Sequence, residues 1–182
     1  MANQQIINHA SSSSCVASLK RYDVFLSFRG EDTRKNITSH LYHALFQAKL
    51  EIYIDYRLQK GDEISQALIE AIEESQVSVI IFSEKYATSK WCLDEITKII
   101  ECKEGQGQVV IPVFYKIDPS HIRKQQGSFK QAFVEHEQDL KITTDRVQKW
   151  REALTKAANL AGWDFQTYRY YHTTTLPFFL IN

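Results

Sequence analysis

The residues best suited to chemistry lie in one polar stretch, residues 83–95, directly after a run of apolar residues. Trp91 and Glu95 are four positions apart, so an indole ring and a carboxylate can lie on one face of a helix. An aromatic face with a single acid suits a nucleoside that carries a charged ring. The alternative is that Asp94 and Glu95 complement a helix dipole while Trp91 fills core space. Composition does not separate these two interpretations.

A second polar stretch, residues 27–33, follows another apolar run nearer the N-terminus. Arg29 and Gly30 combine a cationic side chain with close backbone access just before a predicted helix, which suits a phosphate or pyrophosphate. A turn with a surface salt bridge is the alternative for the same pair. The hydroxyl groups of Ser27 and Ser83 are interpreted as hydrogen-bonding groups of the two loops.

The elements that would position these stretches follow from the spacing of apolar residues. Strands are predicted at residues 22–28, 52–54, 77–82 and 109–114. Helices are predicted at residues 36–50, 64–74, 92–103, 126–138 and 145–160. Repeated βα units of this kind predict one α/β domain, with a parallel sheet flanked by helices on both faces. Pro112 cannot donate a ladder hydrogen bond and predicts an edge position or a local irregularity for its strand.

The order of the strands decides whether the two polar stretches meet. The continuous apolar run at residues 77–82 predicts the most central strand. In a flavodoxin-like order the sheet reverses between strands one and three, and ligands bind beyond the carboxyl ends of the strands at that point. The two polar stretches follow those two strands, so we expect them to share one crevice.

The composition argues against several functional classes. Lys plus Arg and Asp plus Glu both total 22, so the chain lacks the positive field of a nucleic-acid binder. The three cysteines include no CxxC pair, which argues against a disulfide framework and a zinc site. His40 and His43 have a helical spacing that metals accept, but no third ligand is patterned to complete a site, and no metal is expected. Neither a GxSxG nor a GxxxxGK[ST] motif is present, which argues against common serine hydrolases and NTPases.

The two ends of the sequence differ from its middle. Residues 1–20 are polar and Ser-rich, which predicts a disordered leader and not a secretory signal. The apolar run at residues 176–181 is too short to span a membrane. A cytoplasmic location is expected, with the nucleus as the alternative.

Several motifs resemble, in the same order, those of plant TIR domains, which form the N-terminal domain of TIR-type NB-LRR disease-resistance proteins. They are YDVFLSFRGEDT at 22–33, SHL at 39–41, KGD at 60–62, SEKYATSKWCLDE at 83–95, VFYKIDPS at 113–120, GSF at 127–129 and WREAL at 150–154. The resemblance covers residues 21–169 and implies the flavodoxin-like, three-layer TIR fold.

The resemblance also implies an activity. It implies an NAD+ nucleosidase, an NAD+ glycohydrolase of the ADP-ribosyl cyclase or hydrolase type, that acts in plant innate immune signalling. The products would be nicotinamide and ADP-ribose, or a cyclic or variant form of ADP-ribose. Glu95 matches the catalytic carboxylate, and NAD+ is the substrate, with NADP+ as an alternative and no other cofactor. The residues matched to the nucleotide are Phe28, Arg29, Gly30, Trp91, Ser83 and Lys60.

Self-association and contacts with other TIR proteins are implied as well. Ser39 and His40 match an interface motif, with an exposed Ser and a partly packed His as the alternative for this pair. The loop from Asp55 to Glu63 matches the segment that completes a neighbouring molecule's site.

The C-terminal residues 170–182 depart from the family pattern, which usually closes with one more amphipathic helix. Three consecutive threonines and a proline are not typical of a helix, so the final helix is predicted to be missing. A TIR-only or truncated form with weaker assembly is expected. A noncatalytic adaptor that acts by TIR–TIR association is the main functional alternative. A flavodoxin- or receiver-like domain is a third, but the acidic cluster of a phosphoacceptor is absent after strand one.

Overall fold

A five-stranded parallel sheet forms the centre of the molecule. The computed structural model describes residues 20–54 and 66–165, and the strands run in the order β2-β1-β3-β4-β5. The strands are β1 (Tyr22–Phe28), β2 (Ile52–Ile54), β3 (Ser75–Phe82), β4 (Val109–Phe114) and β5 (Trp163–Asp164). The helices are α1 (Gly30–Thr33), α2 (Ser39–Gln47), α3 (Gln66–Glu73), α4 (Lys90–Gln106), α5 (Pro119–Arg123), α6 (Ser128–Gln138) and α7 (Thr144–Ala158).

The side chains of the strands alternate between two apolar layers, as the pleat requires. On β1, Phe25 belongs to a large core formed with α3, α4, α6 and α7. Its neighbours Val24 and Leu26 belong to a smaller core on the opposite face, where α2 contributes Leu41 and Leu45. Helices therefore cover both faces of the sheet, and the predicted three-layer α/β architecture is confirmed.

Strand β3 is the most central strand, as predicted. It pairs with β1 on one side and with β4 on the other, in parallel along nearly its whole length. Residues Val79 to Phe82 are fully buried, which explains the uninterrupted apolar run in the sequence.

Strand β4 does not lie at an edge, so that part of the prediction from Pro112 is wrong. The strand lies between β3 and the short strand β5, which pairs only with Val113 and Phe114. Pro112 therefore lies just outside the segment where β4 is paired on both sides. Strand β5 and helix α5 were not predicted, since two and five residues are too few for an apolar period to show.

Two predicted helices begin earlier than expected. The helix placed at residues 36–50 begins instead at Gly30 as α1, passes through a π-helical turn at Arg34–Thr38 with a kink at Asn36, and continues as α2. Helix α4 begins at Lys90, where the side chain of Ser89 caps it. Glu95 consequently lies in the second helical turn and not in the first.

Some predictions concern residues that the structure does not describe. These are the leader at 1–19, the loop at 55–65 with Lys60, and the tail from 166 with the predicted loss of a final helix. Within the described residues, no helix is both long enough and apolar enough to cross a membrane.

Candidate active site

The two polar stretches meet at the carboxyl ends of β1 and β3. These strands are direct neighbours, with Phe28 opposite Ile81. The loops beyond them are joined, because Asp32 Oδ2 accepts a hydrogen bond of 2.8 Å from the backbone N–H of Lys85. The Lys85 ammonium also lies 2.8 Å from Glu31, and this hydrogen bond raises the pKa of Lys85. The two polar stretches are therefore neighbours in the structure, as expected.

Glu95 is directed toward the end of β1. Its side chain is only 3% exposed, and Ser27 Oγ donates a 2.7 Å hydrogen bond to Glu95 Oε2. One turn earlier on α4, the Cys92 thiol lies 3.5 Å from the carbonyl oxygen of Phe28. Burial chiefly raises the pKa of Cys92, with a further contribution from the charge of Glu95. Helix α4 is thus in direct contact with the residues before the Arg29–Gly30 turn.

Tyr86 was not identified from the sequence but is part of the same cluster. Its fully buried hydroxyl lies 2.9 Å from Ser27 Oγ and donates to the carbonyl oxygen of Cys92 at 3.1 Å. Burial is the main reason that the pKa of Tyr86 is raised well above its usual value, so the phenol stays protonated. The sequence signals were its place four residues after the end of strand β3 and within the motif at 83–95. Ser27, interpreted from sequence as a loop hydrogen bonder, contacts the candidate catalytic acid directly.

Asp94 and Glu95 are neighbours with separate structural roles. Asp94 accepts hydrogen bonds from Arg146 Nε at 3.2 Å, from Arg146 Nη2 at 2.5 Å and from Trp150 Nε1 at 2.8 Å. These contacts join α4 to α7. The suggestion that both acids serve the helix dipole is therefore wrong, because no acidic residue lies in the first turn of α4.

Three buried polar side-chain atoms in the described part of the chain have no hydrogen-bond partner. They are Arg29 Nε, Ser83 Oγ and Trp91 Nε1. All three belong to residues assigned to the nucleotide from the family resemblance. Such atoms are uncommon in folded proteins, because an unpaired buried polar group costs about 1–3 kcal/mol. Arg29 and Ser83 directly follow β1 and β3, and Trp91 lies in the first turn of α4.

The rest of the turn after β1 combines a buried ring with an exposed ion pair. Phe28 is 6% exposed. Arg29 Nη2 lies 3.2 Å from Glu31, the surface salt bridge considered as an alternative, while its Nε stays unpaired. A Cβ added at Gly30 would lie 2.7 Å from the Arg34 guanidinium. The Arg34 side chain therefore packs against Gly30.

The remaining predicted residues lie away from this cluster. On α2, His40 is exposed and Ser39 is half-buried, with its hydroxyl donating to the carbonyl oxygen of Arg34. The alternative of an exposed Ser39 and a partly packed His40 is therefore wrong, because Ser39 is the partly buried residue of the two and His40 the exposed one. Within residues 20–54 and 66–165, no group of three or more His, Cys, Asp or Glu is placed to hold a metal ion.

The family profile described as TIR domain matches residues 21–173. Disease resistance protein RPV1 of Vitis rotundifolia is 54% identical over 164 residues, which cover 88% of this chain and 12% of that protein. TMV resistance protein N of Nicotiana glutinosa is 54% identical over 154 residues, which cover 84% of this chain and 13% of that protein. The chain thus spans about an eighth of the length of these relatives.

A solved structure gives the same result. The TIR domains of the activated Roq1 resistosome, which directly recognises the pathogen effector XopQ, align with a TM-score of 0.80 at 43% identity. The alignment covers 88% of this chain and 97% of the Roq1 chain. This chain therefore belongs to the TIR domain family and is of the type found in plant disease resistance proteins.

Proposed function

We propose that this TIR domain hydrolyses NAD+ to nicotinamide and ADP-ribose, or a cyclic or variant form of ADP-ribose, with Glu95 as the catalytic carboxylate. The observation that supports this most strongly is the burial of Glu95 beside the turn formed by Phe28, Arg29 and Gly30. A carboxylate in a low-dielectric crevice interacts more strongly with a developing positive charge than one in water. NAD+ is the expected substrate, with NADP+ as an alternative.

One acid is sufficient for this reaction. Ordinary glycosidases need a second carboxyl group to protonate the leaving oxygen. Nicotinamide leaves NAD+ as a neutral molecule, because the electrons of the glycosidic bond neutralise the pyridinium ring. Glu95 then stabilises the oxocarbenium ion on the ribose and orients a ribose hydroxyl or water. When water attacks, it adds HO− to the ribose and releases one proton.

The unpaired polar atoms fit a ligand rich in oxygen acceptors. Arg29 Nε and Trp91 Nε1 are donors, and Ser83 Oγ can donate or accept. Phosphate and ribose oxygens would pair with these atoms and offset the cost of their burial. The ion pair between Arg29 and Glu31 is partly exposed, with side chains 25% and 53% accessible, so breaking it costs little.

Immune signalling is the proposed role of the activity. The relatives carry the names of disease resistance proteins, and the matched Roq1 TIR domains belong to a resistosome. We propose that this domain also associates with other TIR domains, through the α2 surface with Ser39 and His40 and through the loop from Asp55 to Glu63. Lys60, in that loop, is assigned to the nucleotide site. A cytoplasmic location, with the nucleus as the alternative, fits this role.

The test is NAD+ consumption by the purified chain beside Glu95→Gln. The amide is nearly isosteric and its oxygen can still accept from Ser27, so the variant removes the charge and keeps the shape. Nicotinamide and ADP-ribose products are quantified by chromatography over a series of protein concentrations, because assembly is expected to matter. The wild type should release nicotinamide, and Glu95→Gln should do so at least about a hundredfold more slowly.

Two outcomes would contradict the proposal. Equal consumption by both proteins would remove Glu95 as the catalyst. No consumption by either, together with concentration-dependent association in size-exclusion chromatography with light scattering, would instead support the noncatalytic adaptor.

A further inference from the structure

A chain of three buried side chains ends on the carboxylate of Glu95. The order is Tyr86, Ser27 and Glu95, with contacts of 2.9 Å and 2.7 Å between successive oxygen atoms. The exposed fractions are 0% for Tyr86, 0% for Ser27 and 3% for Glu95. The three residues come from the turn at Tyr86–Thr88, from β1 and from α4. The chain therefore joins three elements at the point where the proposed reaction occurs.

The available protons fix the direction of the hydrogen bonds. Ser27 and Tyr86 each have one hydroxyl proton, and an ionised carboxylate only accepts. When Glu95 is ionised, Ser27 donates to Glu95, and the single Tyr86 proton lies between two acceptors, Ser27 Oγ and the carbonyl oxygen of Cys92 3.1 Å away. When Glu95 is protonated, Glu95 can donate to Ser27 and Ser27 to Tyr86, and the Tyr86 proton then bonds to the Cys92 carbonyl oxygen alone.

The three hydrogen-bonded side chains keep their protons in place and do not form a proton-transfer path. The far end of this chain of side chains is a backbone carbonyl oxygen of α4, which cannot take up a proton at ordinary pH. Tyr86 also keeps its own proton, because burial raises its pKa. The two hydroxyls can therefore orient Glu95 and favour its ionised form, since hydrogen bonds to a charged form stabilise it.

We infer that Ser27 and Tyr86 are positioning residues for the proposed NAD+ hydrolysis, which fix the orientation and the charge of Glu95 from the side away from the substrate. The inference rests on the proposed function for its kinetic part only. The orientation of the carboxylate matters because transition-state stabilisation falls steeply when a charged group is misplaced. Neither residue is assigned a contact with the nucleotide.

The experiment compares Ser27→Ala, Tyr86→Phe and Ser27→Thr with the wild type through two independent readouts. The first is kcat and KM for NAD+. The second is the pH titration of the Glu95 carboxyl in carbon-13 glutamate-labelled protein, with the signal assigned by its loss in Glu95→Gln. The neighbouring groups should not change charge over the pH range in which Glu95 titrates. The pKa values of Tyr86 and Cys92 are raised, and the guanidinium of Arg29, whose charge acts on Cys92, stays protonated.

The expected results separate positioning from binding. Ser27→Ala should lower kcat by about tenfold to a hundredfold while KM changes by less than about threefold, since the lost bond is to a charged group. The midpoint of the Glu95 titration should rise by about one pH unit. Tyr86→Phe should shift both readouts in the same direction by less, and Ser27→Thr, which keeps the hydroxyl, should restore them toward the wild type.

Ser78→Ala is the matched control. Ser78 is also a fully buried serine of a central strand, but its hydroxyl donates to Gln108 Oε1 at 3.1 Å and lies in no contact with the Glu95 cluster. It should lose stability with no change in the Glu95 titration or in kcat. If Ser27→Ala does not fold, as judged by thermal melting, Tyr86→Phe decides by the same readouts because it removes a single oxygen atom.

The two proposals can fail separately. The Glu95 titration midpoint could rise in Ser27→Ala and Tyr86→Phe although the wild type does not hydrolyse NAD+. That result would support the positioning role and contradict the enzymatic one. Hydrolysis by the wild type, with Ser27→Ala and Tyr86→Phe matching it in both kcat and midpoint, would overturn the positioning role and leave the enzyme.

Discussion

Of the two adjacent acids of helix α4, Asp94 should contribute to folding stability and Glu95 to the proposed catalysis. The substitution Asp94→Asn tests this division most directly. The substitution leaves an oxygen that can still accept from Trp150 Nε1, but it removes the charge that pairs with Arg146. Asp94 lies about 100° around the helix from Glu95 and contacts α7 instead. We therefore expect a loss of folding free energy without a loss of chemistry.

The size of the effect follows from the contacts. A hydrogen bond to a charged group contributes about 1.5–3 kcal/mol, and Asp94 is well buried with 14% of its side chain exposed. Arg146 is 38% exposed, so solvent screening reduces that figure to about 1–2 kcal/mol. For a domain of this size, that loss corresponds to a melting temperature about 2 to 8 °C lower. Glu95→Gln should change stability by less than about 1 kcal/mol, because it removes a buried charge as well as an interaction.

The assay measures thermal melting and NAD+ hydrolysis on the same samples, at a temperature where each variant is fully folded. Asp94→Asn should keep its turnover within about twofold of the wild type, whereas Glu95→Gln should lose it. A double-mutant cycle with Arg146→Leu should give a coupling energy of about 1–2 kcal/mol. An unchanged melting temperature for Asp94→Asn, or loss of turnover in its folded state, would refute the separation of roles.

Three further outcomes are expected. Gly162→Ala should lower the free energy of unfolding, measured by urea denaturation, by about 1–3 kcal/mol, because the new Cβ would lie 2.4 Å from a carbonyl oxygen of β4. Gly105→Ala is the control: its Cβ would lie in open space on α4, so it should raise the free energy of unfolding by about 0.5–1 kcal/mol. Cys92 should resist iodoacetamide at pH 8 in the native state and react after unfolding, as peptide mass spectrometry would report, because burial raises its pKa. The side chain of Asp118 caps α5, and the hydrogen bond from the backbone N–H at the start of that helix lowers the pKa of Asp118. The difference in unfolding free energy between the wild type and Asp118→Ala should therefore be complete above about pH 4 and should disappear as the pH falls further.

Much of this fold could be predicted from residue patterns alone. The β1 run of residues 22–28 and the β3 run carry strong apolar signals, and their adjacency follows from the topology of doubly wound sheets. The starts of α2 and α4 could not be placed in the same way. Their beginnings are set by a kink at Asn36 and by the cap from Ser89, neither of which shows in the spacing of apolar residues.

Glu95 could be selected as the candidate acid from the sequence, but the residues that hydrogen-bond to it could not. Glu95 could be selected because its spacing from Trp91 suggests a shared helix face and because the family resemblance places a catalytic acid there. The partner of Glu95 could not, since Ser27 lies 68 residues away and contacts it only through the pairing of β1 with β3. Asp94 was misassigned for a related reason, because its partners lie on α7, 52 and 56 positions further along the chain.

The two sides of the crevice differ in how firmly they are held. On the Glu95 side, Ser27 and Tyr86 are fully buried, and moving them would break hydrogen bonds that water cannot replace. On the Arg29 side, the contacts are surface ion pairs among Arg29, Glu31 and Lys85, which solvent screening makes weak. The phosphates of the proposed nucleotide would therefore compete for Arg29 at low cost while the carboxylate of Glu95 stays in place. Under the proposed function, this asymmetry would let the Arg29 side adapt to the charged end of the nucleotide while the Glu95 side keeps its geometry.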